Sequence, residues 1–343
     1  IYSVYKIFKS LSSNERRLVL SHIFSFEIFT TIWIIIKDTL LHVKIFKKNF
    51  WLGYMHSSIA FGWFMLIFIG HIEVMLYTPH RTAFIYYPVF FRYFVMEVEQ
   101  TLRGGFFFFM MDLFLLIVLS GLVLAIVKRF NSKAVGMKRT TKLPLTDKIA
   151  MFSLWAIFPL RLLAESFTAN ISGGSFLTKG INSLLSGYVN YNSLLVPAWW
   201  GYSISLAIFL FVLPFSRYMH IPTEAFLILL RRSGVISRSY KGGYADAELF
   251  SCSSCGICID VCPMSFTGDK YKSTSAYIIK NLRFKQNQTN LSLVDDCLMC
   301  GKCVEACPVE IDSTRLKLLY KQSKRNLNSS KLELPESKIV DKN

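Results

Sequence analysis

FFFFMMDLFLLIVLSGLVLAIV, Phe106 to Val127, contains a single charge, Asp112. The run is too long for a strand and has no polar face for a surface helix. It reads as a helix crossing a bilayer, where only a helix satisfies its own backbone in lipid. Working outward, the run belongs to a span at 105–128, and four more apolar blocks at 17–40, 51–75, 147–168 and 195–218 have the same character. The hydrophobic share of 52% is gathered in these blocks rather than spread at helical or strand period, which excludes a soluble domain of this length. Five spans are expected.

Beyond the last block the composition changes. All eight cysteines fall in two copies of one pattern: Cys252, Cys255, Cys258, Cys262-Pro263 and Cys297, Cys300, Cys303, Cys307-Pro308. The spacing C-x2-C-x2-C-x3-C-P is that of thiolates wrapping [4Fe-4S] cubanes, where the fourth Cys of each run ligates the other cluster. One cluster is therefore expected on Cys252, Cys255, Cys258 and Cys307, and the second on Cys297, Cys300, Cys303 and Cys262. Structural zinc and a disulfide framework are the competing readings, the latter belonging to short secreted domains. No cysteine remains for another role. The expected fold class is all-α: a five-span transmembrane helix bundle followed by a helical ferredoxin domain with two 4Fe-4S clusters.

Charge sets the orientation. Lys44, Lys47 and Lys48, and then Lys128, Arg129, Lys133, Lys138, Arg139 and Lys142, mark two loops as cytoplasmic. The 169–194 loop has only Lys179, and the 76–104 loop offsets Arg81, Arg92 and Arg103 with Glu97 and Glu99, so both face the other side. Five spans then put the cysteine domain in the cytoplasm, and the protein in the inner membrane as a multi-pass chain. Lys6, Lys9, Arg16 and Arg17 disagree, because they would precede span one on the outer side. The chain begins at Ile1 rather than Met, which leaves room for residues upstream, and no cleavable signal peptide is read. The net charge of +17 does not point to nucleic acid: it sits in cytoplasmic loops and in segments such as Lys317 to Arg325, where anionic headgroups or an acidic protein suffice.

Six histidines precede residue 221: His22, His42, His56, His71, His80 and His220. An imidazole in lipid needs a partner, and haem iron held by two helices is one. His56 and His220 share the cytoplasmic depth; His22 and His71 share the outer one. His56 and His71 are separated by about 22 Å of rise and about 60° of rotation, which suits two stacked haems. His42 and His80 read as solvated or interfacial. Glu27, Asp38, Glu73, Asp112, Arg161 and Glu165 are costly in lipid and each needs a reason. Arg161 and Glu165 are i, i+4 and can pair; alternatively Arg161 meets a haem propionate, and Glu165 or Glu73 handles quinone protons. Trp199 and Trp200 read as interface anchors.

Residues 195–232, ending FSRYMHIPTEAFLILLRR, resemble the last span and cytoplasmic extension of the nitrate reductase gamma-subunit family of membrane cytochromes b. LGYMHSSIAFGWFMLIFIGHIEVM (52–75) extends the likeness, and RRLVLSHIFSF (16–26) resembles the first span of heterodisulfide-reductase-type membrane subunits. The whole resembles a fusion of membrane and small iron–sulfur subunits, as in the Dsr, Qmo and Hme families. By position His56 and His220 match family haem ligands. The family's second pair falls on Leu66 and Tyr202, so His22 and His71 are the substitutes here. The two cysteine runs are separated by a stretch containing TSAYIIKNLRFKQ (274–286), an insert similar to those of helical ferredoxin domains.

The resemblance implies an electron-transfer subunit moving electrons between menaquinone or another quinone, haem b and two [4Fe-4S] clusters. It also implies a cytoplasmic heterodisulfide-reductase-D-like iron–sulfur partner holding the catalytic centre, with further membrane or periplasmic subunits. No G-x-G-x-x-G, additional cysteine or nucleophile–base pair suggests a substrate site on this chain. A haem-free anchor for ferredoxin-type clusters and a redox-sensing membrane protein are the alternatives. The expected divisions are a membrane cytochrome at 1–220, an interfacial helix and linker at 221–245, the ferredoxin domain at 246–324, and a flexible tail at 325–343. In the linker, Pro222 and Glu224 suit a helix start and Arg231 with Arg232 its end. Its apolar run, with Leu227, Leu229 and Leu230, is expected to lie on the inner membrane surface.

Overall fold

The computed structural model describes residues 2–77, 102–138, 141–169, 174–188, 190–236, 239–284 and 291–332. His80, Arg81, Arg92, Glu97 and Glu99 fall outside that set, as does the side chain of Glu73. The described residues are helical, with no strand among them. They form two compact units, one of residues 34–218 and one joining residues 1–33 to 219–343.

In the first unit four helices are long and apolar enough to cross a membrane: Phe50–Ile72, Gly105–Phe130, Leu145–Thr168 and Ser193–Phe215. The first two of these approach closely because small residues face each other. A Cβ on Gly121 would come 1.9 Å from Ser58 Oγ, and one on Gly62 would come 2.6 Å from Val118 Cγ2. The hydroxyls of Tyr54 and Ser120 bond across the same seam at 2.8 Å. The third span packs along the fourth, and Phe158, Tyr202 and Phe209 join the core that all four helices share.

Buried polar groups in this unit have local work. Asp112 Oδ2 accepts from the backbone N–H groups of Ser175, Leu177 and Thr178, at 3.2, 3.0 and 3.0 Å, and from the Thr178 hydroxyl. A carboxylate from one span thus caps the Phe176–Leu185 helix, whose first N–H groups have no partner within the helix. Asp147 Oδ1 accepts from Arg217 N–H at 2.8 Å, tying the start of the third span to the residues after the fourth. Arg161 and Glu165 form a buried pair at 2.9 Å, the i, i+4 reading of those charges.

Residues 17–40 do not form one straight span. Helices Ser13–Ile23 and Glu27–Leu40 meet at 93°, the second ending in a π-helical turn. The break falls at Phe24, Ser25 and Phe26. Phe24 N–H bonds back to the Leu20 carbonyl, and the Ser25 hydroxyl donates to the His22 carbonyl at 2.8 Å, closing the helix locally. Ahead of it, Ser12 and Glu15 form a capping box that fixes the start of the Ser13–Ile23 helix.

The second unit has one core, drawn from the N-terminal helices and the C-terminal third of the chain. Ile7, Leu11 and Val19 pack with Leu227, Leu230, Tyr244, Leu249, Ile278, Leu316 and Tyr320. The N-terminal segment is fastened further by Gly243 N–H, which donates to the Ser10 hydroxyl at 2.7 Å. The helix at His220–Arg232 belongs to this core: Leu227 and Leu230 are fully buried, and Leu229 packs against the cluster. The apolar face expected to lie on the membrane is covered by protein. Arg231 likewise turns inward, donating from Nη2 to the Val309 and Glu310 carbonyls at 2.8 Å each. The last helix runs Ser313–Leu332, so the tail expected from residue 325 begins as helix.

Candidate functional site

Each cysteine run is built the same way. Cys252 caps the end of helix Gly243–Ser251, and a loop leads into the short helix Ile257–Asp260 that carries Cys258. Cys297 follows helix Leu291–Asp295, and a matching loop leads into Lys302–Glu305, which carries Cys303. The loops share a left-handed signature: Ser254 and Gly256 in the first, Met299 and Gly301 in the second, have φ of 53°, 96°, 52° and 76°. Glycine after the second Cys of each run is the residue that takes this conformation without cost from a Cβ. Left-handed residues in such loops turn successive N–H groups inward, an arrangement suited to anionic groups. The hydrogen bonds repeat as well, Cys262 N–H to the Ile259 carbonyl at 3.2 Å and Cys307 N–H to the Val304 carbonyl at 3.1 Å.

Two cavities result. One is lined by Cys252, Cys255, Cys258, Cys307 and Cys303, with Ile279, Val309 and Ile311 on one side and Ser254, Ser275 and Ser313 among the polar residues. The other is lined by Cys297, Cys300, Cys303 and Cys262, with Ser275 and Lys317. The fourth cysteine of each run thus borders the cavity of the other run. Among the described residues no three Cys, His, Asp or Glu side chains converge tightly enough for a single ion. Thiols spread around a cavity suit a multi-iron group, whereas zinc draws its sulfurs to about 2.3 Å of one centre.

The thiols of the first cavity resist ionisation. Burial, reinforced by the neighbouring sulfurs, pushes Cys258 well above the usual thiol range, and burial pushes Cys307 up to about 12. Cys252 is raised for the same first reason, with Arg283 opposing. Iron bound by these cysteines would displace the protons, its positive charge offsetting the cost of burying thiolates. The second cavity carries a lysine, Lys317, in its lining. Burial acts against ionisation of Cys303 too, but hydrogen bonds from Ser275 and Ser313 and the charge of Lys317 outweigh it, and that thiol is lowered. Cys300 is exposed.

The histidines are distributed differently. His22 is buried in the unit that holds the cysteines, its Nε2 bonded to the Thr31 hydroxyl at 2.8 Å and its Nδ1 3.5 Å from Glu27. His56 and the half-buried His71 belong to the helix Phe50–Tyr77, and His220 opens the helix His220–Arg232 of the other unit. Each proposed haem pair, His56 with His220 and His22 with His71, therefore draws one residue from each unit. His56 stacks on His42, ring centroids 5.4 Å apart and 27° from parallel. His42, expected to be solvated, is buried in a left-handed turn with φ of 51°, and burial holds its imidazole below the usual value against the opposing Leu40 carbonyl and Asp38. The apolar neighbours Leu40, Leu41 and Val43 were the available sequence signal that this histidine is not simply a loop residue.

The fold and the site thus define a helical protein that joins four helices long and apolar enough to cross a membrane to a paired cysteine domain. Residues 248–311 match the family described as 4Fe-4S dicluster domain. Comparison with curated proteins and with solved structures gives no match. The cysteine domain is an iron–sulfur domain of the dicluster type, and its role is electron transfer.

Proposed function

We propose that this chain carries electrons between the membrane and a soluble partner by way of two [4Fe-4S] clusters. Cys252, Cys255, Cys258 and Cys307 hold one, and Cys297, Cys300, Cys303 and Cys262 hold the other. The observation that carries this reading is the crossing of the fourth cysteines between the two cavities. Bound there, the clusters supply one-electron chemistry, while the chain supplies thiolates, a low-dielectric lining and fixed charges around them. Ile279, Val309 and Ile311 give the first cavity an apolar side, and its cysteines are half-buried. Leu298, largely exposed beside Cys297, and the exposed Cys300 make the second cavity the natural outlet to a partner. Anaerobic protein should hold eight irons and eight labile sulfides per chain; zinc in place of sulfide would refute the assignment.

The same unit supports a reading of sidedness. Val19 lies in the core of the cysteine unit, so the Ser13–Ile23 helix is occupied there, and Glu27–Leu40 alone, at about 21 Å of rise, is too short to cross a bilayer core of about 30 Å. Four spans return the chain to the side from which it started. Lys6, Lys9, Arg16, Arg17, Lys44, Lys47, Lys48 and the 128–142 cations then share one side with the clusters, which the positive-inside rule makes the cytoplasm. Phe24 and Phe26, 87% and 91% exposed at the elbow, suit immersion in the headgroup boundary. A membrane-impermeant maleimide should leave a cysteine introduced at Lys9 unlabelled in intact cells and label it after lysis. Labelling in intact cells would restore a fifth span.

The membrane half of the route is proposed to run through a haem b held by His56 and His220 and to end at a quinone, with a heterodisulfide-reductase-D-like partner on the soluble side. Support comes from the family likeness of 52–75 and 195–232, and from the sequence positions of His56 near the start of the span Phe50–Ile72 and of His220 five residues after the span Ser193–Phe215. His56→Ala and His220→Ala should each abolish the pyridine haemochrome signal. Its absence from unaltered protein would leave a haem-free anchor for the clusters.

A further inference from the structure

Lys317 looks in the sequence like one of several exposed cations in a basic helix. It is 1% exposed. Its Nζ donates to the Ser275 hydroxyl at 2.7 Å and to Cys297 Sγ at 3.2 Å, and it lines the cavity of Cys297, Cys300, Cys303 and Cys262. The hydroxyl of Ser313 lies 3.3 Å from that of Ser275 and 3.1 Å from Cys303 Sγ, so lysine and serines form one network around two of the four sulfurs. Burying an ammonium costs several kcal/mol unless a counter-charge faces it. Among the groups that face this one, the cysteine thiolates supply that charge.

A [4Fe-4S] cluster with four thiolates is a dianion when oxidised and a trianion after it accepts one electron. A fixed cation touching a sulfur favours the trianion more than the dianion, so it raises the reduction potential of that cluster. The first cavity has no equivalent contact among its lining residues; the cation acting on it is Arg283, which influences Cys252 through its charge while its guanidinium stacks over Phe250 at 4.7 Å.

Resting on the cluster assignment above, we propose that Lys317 is a positioning residue that sets the cluster of Cys297, Cys300, Cys303 and Cys262 at a higher potential than its neighbour. Electrons entering the pair would then settle at the cluster nearer the exposed Cys300.

The test uses full-length protein, prepared anaerobically, with dithionite as the reductant in a potentiometric titration followed by electron paramagnetic resonance. Lys317→Met should leave iron and labile sulfide unchanged. It should lower the midpoint of one couple by about tenfold in the reduced-to-oxidised ratio at fixed poise, about 59 mV for one electron. The second couple should move much less. Lys317→Arg should restore most of the difference, and Lys317→Gln, which keeps a donor but loses the charge, should behave like Lys317→Met. Two unmoved couples, or two couples moved equally, in a fully loaded variant would overturn the proposal. So would loss of iron from both Lys317→Met and Lys317→Gln, since the lysine would then serve assembly and not potential. Absence of iron and sulfide from unaltered protein would instead defeat the cluster reading itself.

Discussion

The two cysteine cavities share a loop geometry and two lining residues, Ser275 and Cys303, and differ in the charge beside their sulfurs. The first is walled by Ile279, Val309 and Ile311, and its thiols are pushed toward protonation by burial. The second has the ammonium of Lys317 against Cys297 Sγ, with the hydroxyls of Ser275, which lines both cavities, and Ser313, which lines the first, in the same network, and one of its cysteines is open to solvent. Duplicated ligands can thus be set to different redox tasks by neighbours outside the motif. Reduction potentials in such sites follow charge, hydrogen bonds to sulfur and solvent exposure. The comparison teaches that the repeat specifies what is bound, and the surrounding helices specify how it behaves.

The largest expected effect comes from the crossing itself. Cys307→Ser should remove the cluster of Cys252, Cys255 and Cys258, and should spare the one whose cysteines are its sequence neighbours. Iron content would fall by about half, with the magnetic signal of the Lys317 site retained. Loss of the other signal would show that each run closes its own cluster, and the contrast between the cavities would have to be redrawn.

Next is the turn that delivers Cys307. Arg231 holds the Val309 and Glu310 carbonyls, with Glu310 in a left-handed conformation at φ of 57°. Arg231→Ala should destabilise the cysteine unit by about 1 kcal/mol, the usual net worth of hydrogen bonds that stay partly open to solvent. In thermal denaturation the first cluster should bleach before the second. Simultaneous loss would mean that the turn supports both sites alike.

A smaller effect separates the thiols in cluster-free protein. Only thiolates alkylate, so with iodoacetamide near pH 8 the lowered Cys303 should react early, while Cys258 and Cys307 should stay protonated and slow. As pH rises the reaction of Cys307 should accelerate toward its value of about 12. Equal rates at all eight positions would mean that the apolar wall does not persist without the metal. The smallest effect is that of Ser313→Ala, which removes one hydroxyl near Cys303 Sγ and should lower the potential of the Lys317 site by less than Lys317→Met does.

Much of this architecture was legible in the sequence. The cysteine spacing and Gly256 with Gly301 announce the cavities, and four of the five apolar blocks are helices long enough to cross a bilayer. The fifth, 17–40, has the same apolar content but breaks at Phe24–Ser25–Phe26, where no Pro or Gly signals a stop and closure comes from backbone and serine hydrogen bonds. Leu227 and Leu230 were legible as apolar but not as to what covers them; the covering residues include Ile7 and Leu11, more than two hundred positions away in the chain. Lys317 was hidden by its basic surroundings. Its flanking Leu316 and Tyr320, both fully buried, were the signal that this side of the helix faces inward. Asp112 needed the start of another helix, some sixty residues on, to explain its burial.

The central claim is that two unlike clusters occupy two crossed cavities. Quantifying iron, acid-labile sulfide and zinc in the cysteine unit of anaerobically purified full-length protein, with iron corrected for any haem, tests it most directly. The account predicts eight irons, eight sulfides and no zinc per chain. Four irons with four sulfides would contradict the second site, and zinc without sulfide would contradict both.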